Sequence, residues 1–159
     1  MKEINFYSIE DDVNVFLYNF LSEIVNQNKR VMIFSESPEK MAKLDETLWT
    51  MKKTGFLPHL LVNDAGAEKT PVIISNLKNN KNNSNFILIS TFLDDSDFLN
   101  TFEKTFYIFS PINKTLINDA KNAWDKYSKA GFSTRLLKKD FETGKWKQYN
   151  DFAENNLLI

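Results

Sequence analysis

The apolar positions of the chain fall into short runs separated by longer amphipathic stretches. Residues 4–9 read as a first strand. Asp11 or Asp12 then caps a helix, with Val13, Phe16, Leu17, Phe20, Ile24 and Val25 at 3.6-residue spacing. Residues 30–35 form a nearly all-apolar strand of the kind buried on both faces of a parallel sheet. Ser37-Pro38 opens a second helix, a serine cap followed by proline at the first helical position, and it runs to about residue 51 with Met41, Leu44, Leu48 and Met51 on one face.

Residues 54–59 read as a connector, 59–62 as a short strand and 71–75 as a longer one. Residues 78–85, rich in Asn and Lys, read as a polar surface loop. Residues 86–90 are the clearest buried strand, Asp97 caps a short helix through Phe102, and 106–109 are a further strand. Asn113 caps a long helix to about Ala130, which Gly131 stops. Residues 132–138 look like an edge strand that 142–145 turn back through Trp146 and Tyr149. The alternation predicts a three-layer α/β fold with a mainly parallel sheet, one domain over residues 1–149, and a tail over 150–159 that is expected to fray.

The composition narrows the chemistry more than the fold does. A chain of 159 residues buries enough surface to fold without disulfide or metal. There is no Cys and a single His, so thiolate metal sites, cysteine nucleophiles and the usual imidazole-based pairs are not available. The four glycines, at 55, 66, 131 and 144, are too far apart for a phosphate-cradling loop. These absences speak against an enzyme, a metal and a cofactor. No apolar run approaches a membrane span and the N-terminus lacks a signal-peptide core, so a cytoplasmic protein is expected.

The net charge of −1 is unevenly placed. Residues 1–113 carry −4, residues 114–149 carry +5 and residues 150–159 carry −2. A near-neutral chain predicts little direct DNA binding, whereas a local basic stretch suits an acidic peptide. The plainer alternative is a solvated helix face and a Lys-rich hairpin.

The most specific stretch is LDETLWT at 44–50 followed by GFLPH at 55–59. With NFYSI, KRVMIFSES, TPVIIS, FILIST, FYIFSP and DAKNAWDKYSKAGF in the same order, the chain resembles the chi subunit family of bacterial DNA polymerase III over about residues 1–137. The resemblance implies a Rossmann-like sheet and a non-enzymatic adaptor in DNA replication. Members bind the psi subunit of the clamp loader on one face and capture the acidic C-terminal tail of single-stranded DNA-binding protein on another. Some also pair with a DNA helicase. Carried over to this chain, the tail pocket comprises Phe56, Lys121, Trp124, Ser128 and Gly131. The chain departs from the better-known pattern in having Asp125 and Ser128 where other members are basic, which implies a weaker hold on the tail.

The residues themselves are compatible with that role. On the long helix, Leu116, Ala120, Ala123, Tyr127 and Ala130 share one stripe, while Ile117, Lys121, Trp124 and Ser128 form a neighbouring one. A lysine one turn from a tryptophan offers a cation beside an apolar platform for a carboxylate and a ring. Alternatively, Trp124 is core and Lys121 a solvated charge. Trp49 and Thr50, ending the second helix, are either a psi interface or, for Trp49, a core plug beside Leu44 and Leu48. His59 reads as a structural hydrogen-bonding residue, and Asp94-Asp95-Ser96-Asp97 as caps and turns rather than a magnesium site. The rival functions are a nucleotide-dependent enzyme and a direct nucleic-acid-binding module using the basic stretch.

Overall fold

A computed structural model describes residues 2–51, 57–140, 142–149 and 151–152. It forms two compact units, one from Met1–Val13 with Ile89–Ile159 and one from Asn14–Leu88.

In the continuous unit, β2 (Val31–Phe34) lies between β4 (Val72–Ser75) and β5 (Phe86–Ile89), with β3 (His59–Leu61) beyond β4, all parallel. Both β2 and β4 are buried at every position, as a strand covered on both faces requires. Helix α1 (Val13–Asn26) leads in from β1, and α2 (Pro38–Thr50) joins β2 to β3. The Ser37 side chain accepts a hydrogen bond from the Lys40 amide at 3.3 Å, so the predicted cap forms. On α1 the buried stripe is Leu17, Tyr18, Leu21 and Ile24. Phe16 and Phe20, expected inside, are half-buried and stack on each other at 5.3 Å. The helix has more apolar positions than one face can bury, and its rotation leaves that aromatic pair at the boundary.

The Asn-rich loop is not simply a solvated one. Asn82 and Ser84 are buried. Asn82 Nδ2 donates to the Thr70 carbonyl at 2.8 Å, and Arg30 Nη1 donates to the Asn82 carbonyl at 2.8 Å. Asn85 Oδ1 accepts from the Arg30 amide at 2.9 Å. Asparagine amides here satisfy backbone groups that an irregular segment leaves unpaired.

In the other unit the order is β6 (Lys104–Phe109), β1 (Glu3–Ser8), β7 (Ser133–Lys139), β8 (Trp146–Tyr149). The first three are parallel and β8 is antiparallel to β7. Thus β7, expected at an edge, lies between β1 and β8, because the hairpin adds a strand outside it. Asp140 and Lys147 pair at 3.1 Å across that hairpin. The Lys147 ammonium holds the Asp140 carboxyl below its ordinary range, and Asp140 raises the Lys147 amine in turn. Short α3 (Ser96–Leu99) is capped by Asp95, which accepts from the Phe98 amide at 3.0 Å, rather than by Asp97.

Helix α4 (Lys114–Lys129) joins β6 to β7. Asn113 caps it through the Thr115 and Leu116 amides, and Gly131 follows with φ +96°, a conformation that glycine adopts without strain. The described residues make an α/β protein with mainly parallel strands and helical crossovers, the three-layer Rossmann-like class that the sequence predicts.

Two tyrosines form part of the core of this unit. Tyr127 Oη donates to the Leu93 carbonyl at 3.0 Å and accepts from the Leu93 amide at 2.8 Å. Burial pushes Tyr107 up to about 12, with a further push from Asp119, and pushes Tyr127 well above the ordinary phenol value. A raised folded-state value contributes stability that is whole below about pH 10 and falls as pH rises through the folded value. The melting temperature is therefore expected to fall as pH rises from about 10 to about 12, with buried phenol ionising only as the chain unfolds. Phenolate absorbance that completes its rise while the circular dichroism stays native would contradict this.

Candidate functional site

Four of the five residues assigned to a tail pocket lie in the discontinuous unit. Lys121, Trp124 and Ser128 are spaced three and four residues apart, so they form one stripe of α4, and Gly131 closes the helix. Phe56 lies outside the described residues. Lys121, Ser128 and Gly131 are exposed. Ser128 Oγ lies 2.9 Å from Thr134 Oγ1, tying this edge of the helix to β7. Lys121 has no ion pair among the described residues. Lys126 sits 4.6 Å from the centroid of the Phe92 ring, a cation held against an aromatic face.

Trp124 is only 7% exposed. Its ring lies 5.1 Å from that of Phe6 and 5.3 Å from that of Phe152. The neighbouring stripe also differs from expectation: Ala120, Ala123 and Tyr127 are buried, but Leu116 and Ala130 are exposed. The helix is rotated so that both Trp124 and Tyr127 point inward, and its first and last turns overhang the core. Phe152, from the stretch expected to fray, is itself buried against Phe6, Phe109 and Trp124. Its signal in the sequence is a lone phenylalanine within an acidic segment that follows a basic one.

In the continuous unit, Trp49 is 38% exposed and Thr50 is exposed. The apolar side chain that α2 buries at this end is Leu48. Trp49 is nevertheless held. Its Nε1 donates to Asp45 Oδ1 at 3.2 Å, and its ring lies 4.4 Å from that of His59. His59 is buried, with Nδ1 2.7 Å from the Leu57 carbonyl and Nε2 3.4 Å from Asp45 Oδ1. Asp45 and His59 thus fix an indole that stands partly in solvent. The role of Asp45, one turn before the tryptophan, was not drawn from the sequence, although the spacing within LDETLWT contains it.

The family profile described as "DNA polymerase III chi subunit, HolC" matches residues 1–135. The chain belongs to the DNA polymerase III chi family. It is 27% identical to the DNA polymerase III subunit chi of Escherichia coli over 155 residues, covering 92% of this chain and the whole of that protein. It is 26% identical to the subunit chi of Haemophilus influenzae over 136 residues, covering 83% of this chain and 94% of that one. Membership in the chi family makes the chain an accessory subunit in DNA replication, with protein partners in the polymerase complex. Among the described residues no helix is long and apolar enough to cross a membrane.

Proposed function

We propose that the chain is a non-enzymatic cytoplasmic adaptor that links the clamp-loader complex to the acidic C-terminal tail of single-stranded DNA-binding protein. The observation that carries this reading is the stripe of Lys121, Trp124 and Ser128 on α4, in a chain of the chi family. Lys121 offers an exposed ammonium to a terminal carboxylate. Trp124 supplies an apolar wall to its ring, and the basic stretch 114–149 attracts the acidic residues upstream. Purified chain mixed with single-stranded DNA-binding protein should form a complex that weakens as salt rises. The same protein lacking its C-terminal tail should not be retained. Equal retention of the tailless protein would refute the reading.

The Trp49 surface is the proposed seat of a psi-type subunit, with a DNA helicase as a further candidate for the same complex. A half-exposed tryptophan clamped by a carboxylate and a buried ring is pre-ordered for contact, and indole rings are enriched among residues that dominate interfaces. Trp49→Ala is expected to weaken psi binding while leaving tail-peptide affinity unchanged. Its cost to folding is expected to be smaller than the ~3–5 kcal/mol of a fully buried tryptophan, because the ring stands partly in solvent. Unchanged psi affinity in a calorimetric titration, with a large drop in melting temperature, would remove Trp49 from the interface.

A further inference from the structure

We propose that Phe152 is an internal plug: it fills the place on Trp124 where the aromatic end of an acidic peptide packs, and it must leave for that peptide to bind. The inference rests on the tail-binding reading above and concerns the regulation of that same site.

Two rings cover Trp124. Phe6 comes from β1 and is wholly buried. Phe152 comes from the segment after β8, 7% exposed, with its ring at 60° to the indole. It also meets Phe6 edge-on at 5.9 Å and Phe109 at 5.7 Å. Phe152 thus covers one side of a tryptophan that a peptide-binding role needs uncovered there.

The segment shares an aromatic ring and negative charge with the ligand whose place it takes. Residues 150–159 carry Asp151 and Glu154 and no lysine or arginine, while residues 114–149 carry +5. A segment with two acidic residues that buries a phenylalanine against Trp124 mimics the ring and the charge of an acidic peptide with an aromatic end, without its terminal carboxylate. Tethering gives such a mimic an effective concentration of the order of millimolar. A peptide from another protein then binds only the fraction of molecules in which Phe152 is displaced, and its apparent affinity falls by that fraction.

The test uses the full chain and a fluorescein-labelled nonapeptide of acidic residues ending in phenylalanine with a free carboxylate. Phe152→Ala is expected to bind the peptide at least about fivefold more tightly than the parent, and Phe152→Leu to stay within about twofold. Circular dichroism checks that both variants are folded. If Phe152 is only core, Phe152→Ala binds the peptide no more tightly and merely melts earlier, which overturns the plug.

A second measurement needs no variant. Hydrogen–deuterium exchange of the parent under saturating peptide is expected to show the segment after β8 losing protection while the Lys121–Ser128 stretch gains it. Protection of that segment that is kept or increased overturns the proposal. The Lys121→Glu variant separates the two ideas. A peptide held through Lys121, yet no more tightly by Phe152→Ala, removes the plug and leaves the tail reading. A peptide that binds no variant removes both.

Discussion

Replacing Trp124 with alanine is expected to destabilise the chain by about 3–5 kcal/mol, the range for truncating a large buried aromatic side chain. The indole lies between Phe6 and Phe152, and Phe6 in turn stacks on Tyr107 at 4.7 Å. Removing it takes a ring from the centre of an aromatic cluster that joins α4, β1 and β6. In a chain of this size each kcal/mol moves Tm by about 2–4 °C, so the expected fall is roughly 6–20 °C. Scanning calorimetry reads it directly. Peptide affinity should fall as well, so only titration below the transition temperature reports on binding. A Tm within about 2 °C of the parent would mean that the ring is a surface feature.

The second large effect is on binding rather than folding. Lys121→Glu should leave Tm nearly unchanged, since the side chain is exposed and has no ion pair among the described residues. It should weaken an acidic, phenylalanine-ended peptide by at least about tenfold. A charged hydrogen bond contributes about 1.5–3 kcal/mol, and the substitution adds repulsion to its loss. Each 1.4 kcal/mol is about a factor of ten in affinity. The salt dependence should also flatten, because the cation that neutralises the carboxylate is gone. Fluorescence anisotropy at two salt concentrations measures both quantities. If Lys121→Glu binds as well as the parent, the carboxylate is held elsewhere, with Lys126, Lys129, Arg135 and Lys138 as the next candidates.

Most elements were legible in the sequence because their signals are local. The Ser37 and Asn113 caps, the Pro38 start, the Gly131 stop and the all-apolar β2 each depend on a few adjacent residues. What was not legible depends on partners far along the chain. Whether Trp124 or Leu116 points inward is decided by how α4 rotates on β1 and β6. Neighbouring stripes of one helix differ by less than the width of a buried face, so both fit the same periodicity. The burial of Asn82 required Arg30 and Thr70, and that of Phe152 required Phe6 and Phe109. The candidate site came from the family resemblance, and the α4 stripe alone was equally compatible with packing.

The make-up of the discontinuous unit has a consequence for how the chain is synthesised. Glu3 pairs with Lys104 on one side and with Ser133 on the other, so β1 leaves the ribosome long before either neighbour exists. At about 5–20 residues per second, roughly 100 residues of elongation leave Ile4 and Phe6 without their sheet for some 5–20 s. The 14–88 unit has all its strands from one continuous stretch and can be complete within that interval. The last part of the fold to close therefore uses the first strand to be made. Any chaperone that attends this chain has an apolar N-terminal segment to shield until β6 emerges.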